Sequence, residues 1–279
     1  MKNRWLIGAV IVVIIAGLFL YLKQRQKGSD SVETIRIGAV LGLTGQAAAD
    51  SLNIKRGLDL AKTDLAERGI AVDINYQDDN ADAKKTVSAV QYLIATYQPQ
   101  AIVGPVWSYL EDAAGPVIAA NKVVAYAPAD TSEFVSARSP YNFRGAPQNA
   151  LIKKPVADWL RANSKKRVAI IVDKAAFGAS VAAPYQSAAR EAGASVVYSE
   201  EIPTFSSDPA GLVVAALLKA KAANADVILW SGYEPESAAL IKKKTELGLG
   251  HVSVIAIGNT LVSLHSRNAV SANELNDVY

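Results

Sequence analysis

The chain has 279 residues, a formal net charge of +3 at neutral pH, two histidines and no cysteine. This length suits about two domains, and the composition is that of an ordinary globular protein. The lack of cysteine excludes a disulfide framework and a cysteine-based zinc site, and it leaves the redox compartment open.

The N-terminal region is the most apolar stretch of the chain. Residues 5–22 contain no charged side chain and just reach the length that a bilayer span needs. We therefore predict a membrane anchor in residues 1–27, with one transmembrane helix at about 5–22. A cleaved signal peptide is the alternative, but the apolar core is followed by the bulky Phe19-Leu20-Tyr21-Leu22 where a cleavage site needs small residues.

Basic residues flank this span equally, so the charge pattern does not fix which side of the membrane the following domain occupies. Lys2, Arg4 and the amino terminus precede the span, and Lys23, Arg25 and Lys27 follow it. The basic residues of segment 1–27 face no acid there, so the net charge of the remaining residues is slightly negative. This charge predicts no nucleic-acid partner. Residues 28–34 are polar and predict a flexible tether.

After the tether, strand and helix patterns alternate as β-α-β-α-β-α-β. Short apolar runs predict strands, and apolar residues at helical spacing predict the helices between them. This alternation predicts a parallel sheet with helices on both faces. The predicted strands are residues 35–41, 71–76, 101–103 and 123–127, and the predicted helices lie at about 54–65, 83–97 and 108–118.

A second α/β unit follows an aperiodic segment, residues 129–145, which contains Pro140 and suits a crossing between two lobes. We therefore assign residues 35–145 to lobe 1, 146–259 to lobe 2, and 260–279 to the start of a return to lobe 1. The predicted strands of lobe 2 are residues 167–172, 195–202, 227–230 and 252–257, and its helices are predicted at about 152–159, 177–192, 212–219 and up to 247.

One strand end has the features of a ligand site. Residues 101–108, AIVGPVWS, combine a buried strand, a Gly-Pro turn and a helix that begins near Ser108. Unpaired N–H groups and the helix dipole favour a carboxylate or phosphate at such a position. An ordinary βα turn is the alternative interpretation, because every βα unit contains one.

The sequence contains none of the usual catalytic or metal-binding motifs. G-x-S-x-G, P-loop and G-x-G-x-x-G patterns are absent, and the two histidines lack the companions of a zinc site. Asp78, Asn80 and Asp82 resemble the start of a calcium loop, but the glycine and glutamate required further on are missing, so we predict helix capping instead. Lys242 to Lys244 predict a solvated helix face. We expect no enzyme, no metal and no cofactor.

Several short segments, taken together, resemble the type I periplasmic binding proteins, and specifically the branched-chain amino acid (Leu/Ile/Val) receptors of ABC transporters. No segment is specific alone, but their order and spacing on the alternating pattern are. The resemblance covers nearly all of residues 35–279. The segments are IGAVLGLTG (37–45), YQDDNADAKKTVSAV (76–90), IVGPVWS (102–108), APADTSE (127–133), AIIVDKAAFG (169–178), VILWSGYEPESA (227–238) and AIGN (256–259).

This resemblance implies two Rossmann-like lobes that are joined by a multi-strand hinge and close on a small ligand. By position in the family motifs, Trp107 and Ser108 would hold the carboxylate of an amino acid. Its ammonium would meet the Ala129 carbonyl and the Thr131 hydroxyl, while Tyr233 would close over it from lobe 2. The resemblance also implies an ABC permease as partner and a ligand-binding domain on the periplasmic or extracellular side of the inner membrane.

Three further predicted ligand-binding positions depart from the family pattern. Asp50 stands where members often have an aromatic residue, Phe177 where they have tyrosine, and Asn259 where an acid often pairs with the ammonium. Family members also continue beyond the position of Asn259, so we expect the C-terminal part of the fold to be truncated. Two alternatives follow: a ligand-sensing module of a signalling system, or a degenerate domain that binds no ligand.

Overall fold

The computed structural model of the chain describes residues 34–133, 139–258, 260–261 and 269–279. These residues form two parallel β-sheets, and we call each sheet with its helices a lobe. The sheet of the first lobe contains β1 (Ile35–Leu41), β2 (Val72–Asp78), β3 (Ala101–Val103), β4 (Val124–Ala127) and β5 (Asn142–Arg144). The sheet of the second lobe contains β6 (Arg167–Asp173), β7 (Ser195–Ile202), β8 (Val227–Ser231) and β9 (Ser253–Ala256).

Helices connect successive strands from β1 to β4 and from β6 to β9, as the alternating pattern predicts. The first lobe has α1 (Ala48–Glu67), α2 (Ala83–Tyr92), which continues as a π-helical turn (Leu93–Tyr97), and α3 (Ser108–Asn121). The second lobe has α4 (Lys153–Ala162), α5 (Ala176–Glu191), α6 (Pro209–Ala222) and α7 (Glu234–Glu246).

The two sheets have the same strand order. Neighbouring strands run β2-β1-β3-β4-β5 in the first sheet and β7-β6-β8-β9 in the second, and every pairing is parallel. The direction of winding therefore reverses between β1 and β3, and again between β6 and β8. Open α/β sheets bind ligands at the carboxyl ends of the strands beside such a switch point.

Strands that are covered on both faces form the centre of each lobe. In β1, the side chains from Ala39 to Leu41 are fully buried, and in β6 the run from Val168 to Val172 is equally buried. Continuous apolar runs are expected where helices cover both faces of a parallel sheet. The α3 helix packs Ala114 and Ile118 against the first sheet, which fixes the direction of its N-terminus.

The structure adds one strand that the sequence pattern did not indicate. β5 lies within the segment interpreted as an aperiodic crossing, and it pairs with β4 through Ala125 and Asn142. The strand has only three residues, which is too short to show an alternating pattern. Its extended conformation depends on pairing with β4, which the local sequence does not indicate.

The described C-terminal residues 277–279 pair with the second lobe, so the prediction that residues 260–279 start a return to lobe 1 is wrong for this segment. Val278 forms a parallel bridge with Val254 of β9, and Tyr279 exchanges two backbone hydrogen bonds of 2.8 Å with Val254 and Ala256. This pairing satisfies backbone groups of β9, and Val270 and Leu275 pack near Ile241 of α7.

None of the described helices is both long and apolar enough to cross a membrane. The transmembrane helix predicted at residues 5–22 lies outside the described residues and stays a prediction.

Candidate functional site

A cavity of about 480 Å³ lies between the carboxyl ends of the strands of the two lobes. The first lobe contributes residues from α1, from the β3–α3 turn and from the segments after β4 and β5; the second lobe contributes the start of α5, the β8–α7 turn and the segment after β9. The described lining residues are Asp50, Asn53, Ile54, Trp107, Ser108, Pro128, Ala129, Thr131, Ala146, Pro147, Phe177, Tyr233, Glu234, Gly258 and Thr260.

The first wall is the start of α3. Trp107 is the N-cap residue and has an extended backbone, and its side chain makes no capping hydrogen bond. The carbonyl of Trp107 already accepts from the N–H groups of Leu110 and Glu111, at 3.0 and 3.1 Å. The first N–H groups of a helix have no partner within the helix, so those of Ser108 and Tyr109 are available beside the cavity.

Behind this wall lies a buried carboxylate. Asp130 is 1% exposed, and its Oδ1 accepts a hydrogen bond of 2.9 Å from the Ser132 N–H, while the Ser108 hydroxyl acts on the same carboxylate by lowering its pKa. Burial raises the pKa of Asp130, against the effect of these hydrogen bonds and of nearby Arg144.

Thr131 contributes a polar atom that has no partner in the described structure. Its Oγ1 is fully buried and makes no hydrogen bond there, although the residue lines the cavity. The backbone of Thr131 is fixed from the other side, because its carbonyl accepts from the Asn149 N–H at 3.0 Å. Buried hydroxyls are normally hydrogen-bonded, so this atom has the property expected of a group that awaits a ligand.

Tyr233 forms the opposite wall. The residue is the N-cap of α7 and is 8% exposed, and its hydroxyl is buried without a hydrogen-bond partner in the described structure. Burial, followed by the charges of Asp173, Asp130 and Glu236 among nearby groups, raises the pKa of this hydroxyl, so it stays protonated. Tyr233 can therefore both donate to and accept from a bound molecule.

Aromatic rings from both lobes meet at Tyr233. Trp107 lies 5.1 Å from it between ring centroids, and Tyr109, also of the first lobe, lies 5.8 Å away. Phe205 and Phe177 of the second lobe complete the cluster, at 4.7 and 5.9 Å from Tyr233. The two lobes are thus in direct contact on one side of the cavity.

The helices that begin at the cavity have no side-chain cap. These helices are α3, α5 and α7. Among the other described helices, α1 and α4 are also uncapped by a side chain, whereas Asp208 caps α6 and Asp82 caps α2 by accepting from the Lys84 and Lys85 N–H groups, which confirms the predicted capping role. The helix ends at the cavity thus leave N–H groups for a ligand or for solvent.

The charged groups around the cavity are acidic. Asp50 and Glu234 lie on the wall, and the described lining contains no lysine, arginine or histidine. Asp173 is buried just behind the second wall, where burial raises its pKa to about 6 although the hydroxyl of Ser231 donates to it at 2.9 Å. The fields of these carboxylates favour a ligand that carries a positive group.

The structure brings the predicted ligand-binding residues together. Every one of them that is described lines the same cavity: Asp50, Trp107, Ser108, Ala129, Thr131, Phe177 and Tyr233. Asn259 lies outside the described residues, although Gly258 and Thr260 on either side of it line the cavity. Sequence reasoning missed Tyr109 and Phe205, which complete the aromatic cluster. An aromatic residue within the polar 203–208 loop was the available signal for Phe205.

Comparison with known proteins gives a consistent family assignment. The family model described as periplasmic binding protein matches residues 34–278. A Leu/Ile/Val-binding protein homolog of Brucella melitensis is 28% identical over 221 residues, which are 77% of this chain and 59% of that protein. The chain therefore spans less than two thirds of the length of this relative.

Two solved structures have the same fold. A solute-binding protein of an ABC transporter from R. palustris, in complex with 4-hydroxybenzoate, superposes with a TM-score of 0.74 at 22% identity, covering 82% of this chain and 63% of that one. A branched-chain amino acid transporter substrate-binding protein from Streptococcus pneumoniae, in complex with isoleucine, gives 0.73 at 20% identity, covering 88% and 70%. The family match, the parallel sheets and the interlobe cavity agree, and the chain belongs to the periplasmic binding protein family, as a type I member of its branched-chain amino acid branch.

Proposed function

We propose that this protein is an extracytoplasmic solute-binding receptor that holds a small zwitterion, an amino acid or a close analogue, in the interlobe cavity. The mechanism is binding and not catalysis: contacts with both lobes shift an equilibrium between open and closed arrangements. The observation that carries the proposal is the pair of buried hydroxyls without partners, at Thr131 and Tyr233, on opposite walls of one cavity.

The carboxylate of the ligand is assigned to the start of α3. The N–H groups of Ser108 and Tyr109 and the positive end of the helix dipole supply the attraction. The Ser108 side chain also lines the cavity at this position. Trp107 forms the adjacent apolar surface.

The ammonium group is assigned to the acceptors between α1 and the segment after β4. The Ala129 carbonyl, the Thr131 hydroxyl and the carboxylate of Asp50 all belong to this part of the wall. Asp130 adds a negative field from behind Ser108. The side chain of the ligand would then face Tyr233 and Phe177, which suits an apolar group.

An aromatic acid without an ammonium group is the second candidate ligand. The three rings of Trp107, Phe177 and Tyr233 on the wall favour it, since they can stack on a planar molecule. The acidic surroundings and the lack of a basic residue in the described lining disfavour it, because its only charge is negative.

A thermal-shift panel on the purified full chain tests the proposal. The panel contains L-leucine and other amino acids, 2-hydroxy-isocaproate and isoamylamine, which each lack one charged group of leucine, and 4-hydroxybenzoate. A ligand at about 100 times its Kd adds roughly 2.7 kcal/mol of stability, which corresponds to a Tm increase of about 5–10 °C. We expect this increase for at least one amino acid and a smaller one for the analogues that lack either charge.

Two outcomes contradict the proposed ligand class. A larger Tm increase with 4-hydroxybenzoate than with any amino acid identifies an aromatic-acid receptor. No increase with any compound, for a chain whose circular dichroism shows it to be folded, supports a domain that does not bind such ligands.

The partner and the location follow from the same proposal. We propose delivery of the ligand to an ABC permease, since the R. palustris and S. pneumoniae structures are named as parts of such transporters. We also propose that residues 5–22 anchor the chain with the cavity on the periplasmic side. Protease accessibility in spheroplasts tests the location, and co-purification of permease and ATPase subunits, as opposed to a kinase or chemoreceptor, tests the partner.

A further inference from the structure

We propose that Phe205 is a positioning residue that links the two lobes and sets the affinity of the site without touching the ligand. Phe205 is not part of the described cavity lining, and it belongs to the loop between β7 and α6. The expected effect of Phe205 on affinity rests on the proposed function. Its expected effect on lobe closure does not depend on which ligand binds.

The backbone of Phe205 has an unusual conformation. Its φ angle is +52°, in the left-handed region that bulky residues rarely adopt. Such a conformation persists only where the surroundings enforce it, and it is found preferentially at functional sites. The strained backbone therefore indicates that the side chain of Phe205 has a functional role.

A buried carboxylate holds the loop in place. Glu236 of α7 is 1% exposed, and its Oε1 accepts from the Ser206 N–H at 3.3 Å. The backbone of Phe205 acts on the same carboxylate by lowering its pKa, against the larger, opposite effect of burial. One side chain of α7 thus fixes the loop immediately beside Tyr233, the residue that opens the same helix.

The ring of Phe205 reaches the other lobe. It stacks on Trp107 with 5.9 Å between centroids and an interplanar angle of 21°, and it meets Tyr109 edge-on at 5.7 Å. Its third contact, with Tyr233 at 4.7 Å, stays within the second lobe. Because Trp107 also lines the cavity, the Phe205 ring positions one wall of the site from behind.

These contacts exist only while the lobes are together, so the Phe205 ring stabilises the closed arrangement relative to the open one. The apparent affinity of a ligand falls with the fraction of protein in the binding-competent state. Loss of the two interlobe ring pairs is expected to weaken ligand affinity roughly tenfold, from the usual strength of aromatic pairs.

The experiment measures the distance between the lobes directly. The chain has no cysteine, so spin labels can be attached at Lys84→Cys on α2 and Gln186→Cys on α5, both exposed. In the ligand-free full chain, we expect both a short and a longer distance population, and we expect Phe205→Ala to shift the weight to the longer one. Phe205→Tyr keeps the ring and should restore the short population. Tyr92→Ala, which removes an exposed ring from α2, is the matched control and should change nothing.

The outcomes separate this proposal from the assignment of the ligand. A longer distance in Phe205→Ala, with circular dichroism unchanged, supports the positioning role even if no amino acid binds. An unchanged distance distribution, or an amino acid affinity equal to that of the parent chain, overturns it. If Phe205→Ala unfolds, Glu236→Ala supplies the second test, because release of the loop should produce the same longer distance, and an unchanged distance there overturns the role.

Discussion

At the scale of single residues, two buried threonine hydroxyls differ in their hydrogen bonding. Thr131 Oγ1 is buried without a partner in the described structure, whereas Thr86 Oγ1 donates toward Asp79 and the Asp82 carbonyl, both at 2.9 Å. An unpaired buried hydroxyl costs stability, and a paired one contributes to it. Thr131 therefore fits a role in ligand binding, and Thr86 fits a structural role.

We predict that Thr131→Val leaves the free energy of unfolding unchanged or higher and weakens amino acid affinity about 10- to 100-fold, the usual loss for a hydrogen bond to a charged group. Thr86→Val is the control: it should lower stability by about 1–3 kcal/mol and leave affinity unaltered. Urea unfolding and calorimetric titration measure both quantities. Equal affinities for parent and Thr131→Val would remove Thr131 from the site.

Glu111, on α3 just beyond the cavity wall, makes stability depend on pH. The residue is 1% exposed, and burial, with a smaller effect of Asp130, raises its pKa to about 8 although Asn142 donates to it. Unfolded Glu111 ionises near its usual pKa of 4.5, while the folded form keeps its proton until about pH 8. Its stabilising contribution is thus complete below the unfolded pKa and is lost as pH rises through the folded one.

Glu111→Gln cannot ionise and retains an oxygen that accepts from Asn142. We expect the variant to match the parent near pH 4.5 and to be more stable than the parent near pH 8, since only the parent loses stability over that interval. Exposed Glu67→Gln serves as the control. Parallel pH profiles of urea midpoint for parent and Glu111→Gln would show that Glu111 is not the titrating group.

At the scale of elements, the turn between β3 and α3 determines where the first wall stands. Gly104 has φ of +95°, and a Cβ added there would lie 2.1 Å from the Val40 carbonyl oxygen of β1. Gly69 also has positive φ, at +77°, but a Cβ added there would meet nothing within 4 Å. Alanine substitution at Gly69 therefore measures the cost of backbone strain alone, and alanine substitution at Gly104 adds the cost of a steric collision.

We predict that Gly104→Ala lowers the free energy of unfolding by about 3 kcal/mol or more, because strain and collision add, while Gly69→Ala costs about 1–2 kcal/mol from strain alone. Gly104→Ala should also weaken ligand affinity, since it displaces the start of α3. Chemical denaturation of both variants checks the difference, and equal losses would show that the contact with β1 is not limiting.

The same elements show how far sequence reasoning reaches. The boundaries of β3 and the start of α3 at Ser108 were predictable because a buried run, a Gly-Pro turn and helical spacing are all local signals. β5 gave no such signal, as its conformation depends on pairing. Lys244, predicted on a solvated face, is buried, and its Nζ donates to the Asn276 carbonyl at 3.2 Å, a contact that depends on where the C-terminal segment lies.

At the scale of the whole molecule, the cavity exists because two sheets with the same winding order present their carboxyl ends to each other. The resemblance to a known family placed Trp107, Thr131 and Tyr233 at this site from sequence, and the described structure places them on one cavity. The contacts of Phe205 with Trp107 and Tyr109 could not be predicted, since they join residues of different lobes that no local pattern connects.

Isothermal titration calorimetry of the full chain with L-amino acids measures directly whether a zwitterion binds between the lobes. We expect saturable binding of one zwitterion per chain, with a negative heat-capacity change as the aromatic walls are buried, and loss of that binding in the double variant Trp107→Ala/Tyr233→Ala. Absence of saturable heat from every amino acid, or binding that the double variant leaves intact, would contradict a zwitterion site between the lobes.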